Sequence, residues 1–219
     1  PYVWREGRSG LMGESPPTRG GAYHVVVFDY GVKRNILRLL ADTGLKLTVV
    51  PAGTSAADAL ALRPDGIFLS NGPGDPAVCS PQIETIKALI GRVPIFGICL
   101  GIQLLAHALG GTTFKLKFGH RGINHPVRDE QTGKIEITSQ NHGYAVEESS
   151  LPRELVVTHR SLYDGTVEGF AHREIPLFAV QFHPEAAPGP HDSWHLFDRF
   201  IDLIAEGRPL PGLARARTA

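Results

Sequence analysis

The sequence predicts an α/β fold: a mostly parallel sheet with helices on both faces, carrying a cysteine nucleophile elbow. Three observations lead there. Short, almost uninterrupted apolar runs alternate with helix-length segments through the first half of the chain, as in parallel sheets buried on both faces. The stretch Ile95-Phe96-Gly97-Ile98-Cys99-Leu100-Gly101 reads as a strand entering a tight turn and then a helix, with a glycine two residues from the cysteine on each side. The chain has 219 residues, 42% of them hydrophobic, enough to bury a sizeable core as one domain.

The elements follow in order. Residues 25–28 read as a strand, 33–41 as an amphipathic helix, 45–50 as a strand, 55–62 as a helix and 66–70 as a strand. Residues 81–90 form the next helix, 93–98 the strand into the elbow, and 102–109 the elbow helix. The second half has strands at 134–139, 155–159, 167–171 and 177–182, then a helix over 193–204. Residues 1–22 are rich in Gly, Pro, Ser and Arg without sustained period and read as a linker or the remnant of a further domain. The domain proper is 23–205, and 206–219 reads as an irregular tail.

Lys plus Arg (22) balance Asp plus Glu (22), so no broad electrostatic attraction to nucleic acid or anionic membrane is expected. No apolar run reaches the roughly 18 residues that a membrane-spanning helix needs, and no secretory signal is visible. Two cysteines make no disulfide framework, and a catalytic thiol suits a reducing cytoplasm. Cys79, in a loop between Pro76 and Pro81, receives no role.

Cys99 at such an elbow is held in a strained backbone conformation at the amino end of a helix, whose dipole favours thiolate over thiol. A cysteine there can also simply pack. What weighs against packing is the downstream segment Val180-Gln181-Phe182-His183-Pro184-Glu185. On an extended chain, residues two apart share a face. His183 can then take the thiol proton while Glu185 orients the imidazole and stabilises its cation.

Gly97-Ile98-Cys99-Leu100-Gly101 with Gln103, followed by His183-Pro184-Glu185, resembles the class I glutamine amidotransferases, whose triad is Cys-His-Glu. Four further segments resemble the small chains of carbamoyl-phosphate synthases within that class. They are Phe28-Asp29-Tyr30-Gly31-Val32-Lys33-Arg34-Asn35-Ile36, Leu69-Ser70-Asn71-Gly72-Pro73-Gly74-Asp75-Pro76, Lys117-Phe118-Gly119-His120-Arg121-Gly122 with Asn124-His125-Pro126, and Gln140-Asn141-His142-Gly143-Tyr144. The resemblance runs from about residue 23 to about residue 204. It implies glutamine amide hydrolysis, with ammonia passed through an internal tunnel to a large synthetase chain. That chain uses ATP and bicarbonate to make carbamoyl phosphate for arginine and pyrimidine synthesis. No cofactor is implied for this chain itself. The expected partners are L-glutamine, the large chain and an additional N-terminal domain of the same small chain.

Ligands of such sheets collect at the carboxyl ends of the strands. Asn71-Gly72-Pro73-Gly74 follows the 66–70 strand and should share a rim with Cys99, where Gly72 and Gly74 let backbone N–H groups approach a substrate. The resemblance implies an oxyanion hole from the N–H groups of Gly72 and Leu100. Gln103 lies one helical turn after Cys99 and can face the same pocket. By resemblance it contacts glutamine together with Asn141, Gly143 and Tyr144. Read from composition alone, Asn141-His142-Gly143 is a turn.

The ten histidines suggest a metal, but His120, His125, His142, His183, His191 and His195 read as scattered, without ligand spacing, and no metal is expected. Asp29, Asp75 and Glu84 read as capping or solvated groups, and Lys115, Lys117 and Arg121 as a solvated basic stretch. Against the resembled pattern, Ile102 stands where histidine commonly follows Cys-Leu-Gly, and Tyr144 replaces a frequent phenylalanine. Three alternatives remain: an amidotransferase domain serving another synthase, a γ-glutamyl hydrolase, and a non-enzymatic module that retains the fold.

Overall fold

The computed structural model describes residues 1–7, 21 and 23–213. The strands are β1 (Tyr2–Trp4), β2 (His24–Asp29), β3 (Lys46–Pro51), β4 (Gly66–Leu69), β5 (Ile95–Ile98), β6 (Thr113–Asp129), β7 (Ile135–Val146), β8 (Leu155–Ser161), β9 (Val167–His172) and β10 (Leu177–Val180). The helices are α1 (Arg34–Asp42), α2 (Ala56–Ala61), α3 (Ser80–Leu89), α4 (Leu100–Ala108) and α5 (His195–Glu206), with short 3-10 turns at Pro76–Val78 and Glu148–Ser150.

All ten strands join one sheet in the order β1-β3-β2-β4-β5-β10-β9-β7-β6-β8. The block β3-β2-β4-β5-β10 is parallel throughout. Every other pairing is antiparallel. The expected mostly parallel sheet is therefore the parallel half of a mixed one. Beyond β10 the strands β9, β7, β6 and β8 close on themselves, because β8 pairs with both β6 and β9.

Alternation along each central strand explains the layers. Val25 and Val27 face one side, where they pack with Ile36, Leu37 and Leu40 of α1 and Phe197, Phe200 and Ile204 of α5. Val26 and Phe28 face the other, against Ala59 of α2, Ile83 and Ile86 of α3 and Leu104 and Leu105 of α4. Phe96 of β5 anchors the first face. Its ring stacks on Phe178 at 4.3 Å and meets Phe68 edge-on at 5.2 Å. Truncating a fully buried phenylalanine of this kind to alanine costs about 3–5 kcal/mol. Local signals set the helix ends: the Ser55 hydroxyl accepts from Asp58 N–H to cap α2, and Gly207 closes α5 in the left-handed conformation at φ 60°.

Several sequence expectations change. Residues 113–129 carried no strand signal yet form the 17-residue β6, and β7 runs on through residues 140–146. Asn141-His142-Gly143 thus lies within a strand, not a turn. In the segment read as a linker, Tyr2–Trp4 pairs antiparallel with β3, Tyr2 opposite Val49 and Trp4 opposite Leu47. Residues 8–20 and 22 of that segment, and 214–219 of the tail, lie outside the described residues. Leu210 and Leu213, placed in the irregular tail, are buried against the core. Among the described residues no helix is long and apolar enough to cross a membrane.

Candidate active site

Cys99 sits between β5 and α4 with φ 56° and ψ −101°, a backbone conformation that costs a non-glycine residue about 1–3 kcal/mol. The surroundings hold it there. Its N–H donates to Val180 O at 2.9 Å, tying the turn to the end of β10. The flanking glycines are steric requirements. A Cβ on Gly97 would lie 2.9 Å from Leu105 Cδ1 and 3.0 Å from the Gly101 carbonyl carbon. A Cβ on Gly101 would strike the Leu69 carbonyl. Leu100 opens α4, so its N–H has no carbonyl acceptor within the helix.

β10 ends at Val180, and His183 lies three residues beyond it. His183 N–H donates to Ser139 O at 2.8 Å, an isolated bridge that fixes the segment against β7. Its Nδ1 faces Glu185 Oε1 at 2.7 Å. Nε2 is the nitrogen left for Cys99, which lines the same cleft and whose Sγ lies 4.0 Å from Asn141 O. Burial alone would lower the His183 pKa, but the Glu185 charge, the neighbouring Cys99 and the Glu185 hydrogen bond outweigh it and raise the value to about 10. Burial likewise opposes ionisation of Glu185, yet the charge and hydrogen bond of His183, with help from Lys33, hold it below the usual carboxylate range. Asn35 Nδ2 donates to the Glu185 carbonyl at 2.5 Å, and Lys33 Nζ stands 3.1 Å from Glu185 Oε1.

A cleft of about 320 Å³ opens beside Cys99. Of the residues singled out from sequence, Gly72, Gly74, Cys99, Gln103, Asn141, Gly143, Tyr144 and His183 all line it. Leu100 and Glu185 do not: Leu100 lies at the helix start, and Glu185 is fully buried behind His183. One wall is the loop after β4, where Asn71 Oδ1 accepts from Lys33 N–H at 3.1 Å and Asn71 Nδ2 donates to Gly31 O at 3.1 Å. The opposite wall is β7. Gln103 Nε2 donates to Tyr144 O at 3.0 Å and to Gln181 Oε1 at 3.1 Å, so this buried side chain supports the β7 wall from α4.

The histidines are less scattered than they read. His120, His142 and Glu168 bring one potential ligand atom each within 4.8 Å of the others. Those atoms already bond within the protein. His120 spans Glu168 Oε1 (3.3 Å) and Asp164 Oδ2 (2.8 Å). His142 lies between Tyr144 O (2.7 Å) and Gln140 Oε1 (2.9 Å), and its single N–H in the neutral ring donates to one of them, while Gln140 Nε2 donates to Glu168 Oε2 at 2.8 Å. The Glu168 hydrogen bond holds the His120 pKa up against burial, whereas burial pushes Glu168 up and drives His142 down to about 3. A polar network therefore backs the β7 wall. By contrast, His191 stacks on Trp194, and His195 pairs with Glu136.

Sequence reasoning missed Lys33, Asn35, His142 and Arg121 as site residues. Lys33 and Asn35 stood in a segment singled out only for its resemblance, and Arg121, read as a solvated surface residue, lines the cleft. Asp29 and Asp75 do cap local turns, at 2.9 Å to Gly31 N and Ala77 N respectively, and Glu84 pairs with Lys87. Asp75 also accepts from the Tyr144 hydroxyl.

Comparison with known proteins points the same way. The family model for glutamine amidotransferase class-I matches residues 26–203. The carbamoyl phosphate synthase small chain of Syntrophotalea carbinolica is 55% identical over 213 residues, covering 97% of this chain and 57% of its own length. That of Chlorobaculum tepidum is 62% identical over 185 residues, covering 83% and 50%. The chain thus spans about half the length of these curated relatives. Among solved structures, a candidate GMP synthase subunit from Thermoplasma acidophilum superposes with TM-score 0.72 at 24% identity, covering 84% of this chain and 94% of its own. A glutamine amidotransferase of Thermotoga maritima gives 0.59 at 17%, covering 74% and 76%. At these identities the likeness of the two structures is one of fold.

Proposed function

The chain belongs to the class I glutamine amidotransferase family, and from that premise we propose that it hydrolyses the side-chain amide of L-glutamine and supplies ammonia to a large chain that makes carbamoyl phosphate. The observation that carries the reading is His183, hydrogen-bonded to the buried Glu185 and lining one polar cleft together with Cys99. The names of the relatives support carbamoyl phosphate as the product of the assembly.

In the resting pair the Cys99 proton already resides on His183 Nε2, and the thiolate attacks the amide carbon. The oxyanion is met by the N–H groups of Leu100 and Gly72. His183 returns the proton to the leaving nitrogen, and ammonia departs from a γ-glutamyl thioester. Water, deprotonated by His183, then attacks the thioester carbon, releasing glutamate and restoring the resting pair. Glu185 keeps the imidazole in the required tautomer and balances its charge without exchanging protons with substrate. Gly74, Gln103, Asn141, Gly143 and Tyr144 hold the glutamine. ATP and bicarbonate are used by the large chain.

The test is Cys99→Ser in the full assembly. Glutamine-dependent synthesis of carbamoyl phosphate should disappear, while synthesis from added ammonia persists. Loss of both activities in an intact assembly would contradict the division of labour between the chains.

A further inference from the structure

The two walls of the cleft come from opposite halves of the sheet. The Gly72–Gly74 loop follows β4 in the parallel block, and Gly143 and Tyr144 belong to β7 in the closed antiparallel group. Across a sequence separation of 69 positions, the Tyr144 hydroxyl donates to Asp75 Oδ2 at 3.1 Å. The carboxylate is held on both oxygens, because Asp75 Oδ1 accepts from Ala77 N–H at 2.9 Å and so anchors the 3-10 turn that follows. Tyr144 is equally well fixed. Its carbonyl accepts from Gln103 Nε2 at 3.0 Å and faces His142 Nδ1 at 2.7 Å.

The segment between the two anchors needs such a tie. Asn71 secures its start, but Gly74 has φ +106°, and nothing lies within 4 Å of where its Cβ would be. No side-chain packing at Gly74 fixes this end of the loop, and Asp75 supplies the hydrogen bonds that do.

We propose that Tyr144 and Asp75 form a clasp across the glutamine cleft, with the Tyr144 hydroxyl acting as a positioning group that pre-shapes the Gly72–Gly74 wall for the substrate. The inference rests on the glutaminase reading above. Its physical basis is preorganisation: a loop fixed before binding spends less conformational entropy when glutamine arrives.

Tyr144→Phe deletes the hydroxyl and keeps the ring. In the full assembly it should raise KM for glutamine about three- to tenfold, the scale of one ordinary intramolecular hydrogen bond, with a smaller change in kcat. Hydrogen exchange of the Gly72–Asp75 amides should accelerate in the same variant without glutamine present. In a double-mutant cycle, Asp75→Ala and Tyr144→Phe should not multiply in KM, since either one opens the same clasp. A KM and an exchange rate both equal to the parent's, or fully multiplicative effects, would overturn the proposal. A parent that turns over no glutamine, with exchange still faster in Tyr144→Phe, would retain the clasp and sink the glutaminase reading.

Discussion

Lys33 Nζ lies 3.1 Å from Glu185 Oε1, the same oxygen that faces His183 Nδ1 at 2.7 Å. One carboxylate oxygen thus serves two cations, while the buried Oε2 has no hydrogen-bond partner among the described residues. Glu185 is 0% exposed and Lys33 37%, so the pair joins a desolvated acid to a cation that still reaches water. Such an arrangement keeps Glu185 ionised without fully desolvating the second charge.

Lys33→Met should therefore slow glutamine hydrolysis about three- to tenfold, the scale of a half-exposed contact to a charged group. Lys33→Arg should recover part of that loss. Ammonia-dependent synthesis by the assembly should not change. Steady-state kinetics on both substrates decide the point, and an unaltered kcat with glutamine would reduce Lys33 to a wall of the cleft.

Cys99 should be the thiol labelled by a glutamine-like electrophile, and excess glutamine should protect it. Cys79 offers a comparison within the same chain. It is more exposed, but burial and the Asp75 charge raise its pKa, and its thiol faces the Asp75 carbonyl at 3.5 Å. Peptide mass spectrometry that found Cys79 modified and Cys99 intact would reverse the assignment.

On the proposed mechanism His183 carries the proton and Glu185 only orients it, so the two variants should separate. His183→Asn should lose on the order of 10²–10⁴-fold in both thioester formation and its hydrolysis. Glu185→Gln should retain measurable turnover and near-normal glutamine affinity, because size and polarity are similar. Single-turnover assays resolve the two steps. If Glu185→Gln is folded but as inactive as His183→Asn, the carboxylate takes a direct part in proton transfer.

The parallel half of the fold was legible because strands buried on both faces leave continuous apolar runs such as Val25-Val26-Val27-Phe28. β6 was not. Its few buried positions follow no regular alternation, and its pairing with β7 slips between Lys115 and His120 and again between Gly122 and His125, which erases a period of two. Asn141-His142-Gly143 has the composition of a turn, but β7 uses those polar residues to line the cleft. Cys99 and His183 were readable because each sits in a short motif of its own. Lys33, Asn35 and Asp75 reach the site across contacts of 69 to 152 positions that only the strand order creates (Tyr144 − Asp75 = 69; Glu185 − Lys33 = 152).

The protonation of the pair gives the last prediction. His183 has a folded pKa of about 10 against 6.5 for an unconstrained histidine. A raised value means that its contribution to stability is complete below about 6.5 and is lost as the pH rises through about 10. Glu185 runs the other way. Its folded value lies below 4.5, so its contribution is present above 4.5 and is lost as the pH falls through the depressed value. NMR titration should find the His183 imidazole still protonated well above neutrality. Glu185→Gln should shift that midpoint down by more than about one unit, because the largest of the effects raising it is gone. In thermal melts the parent's advantage over Glu185→Gln, roughly 5 °C for a partly compensated buried pair in a domain of this size, should be full near pH 6 and shrink in acid. A His183 midpoint near 6.5 in the parent, or a melting difference constant down to about pH 3, would show that the two groups are hydrogen-bonded but not an ion pair.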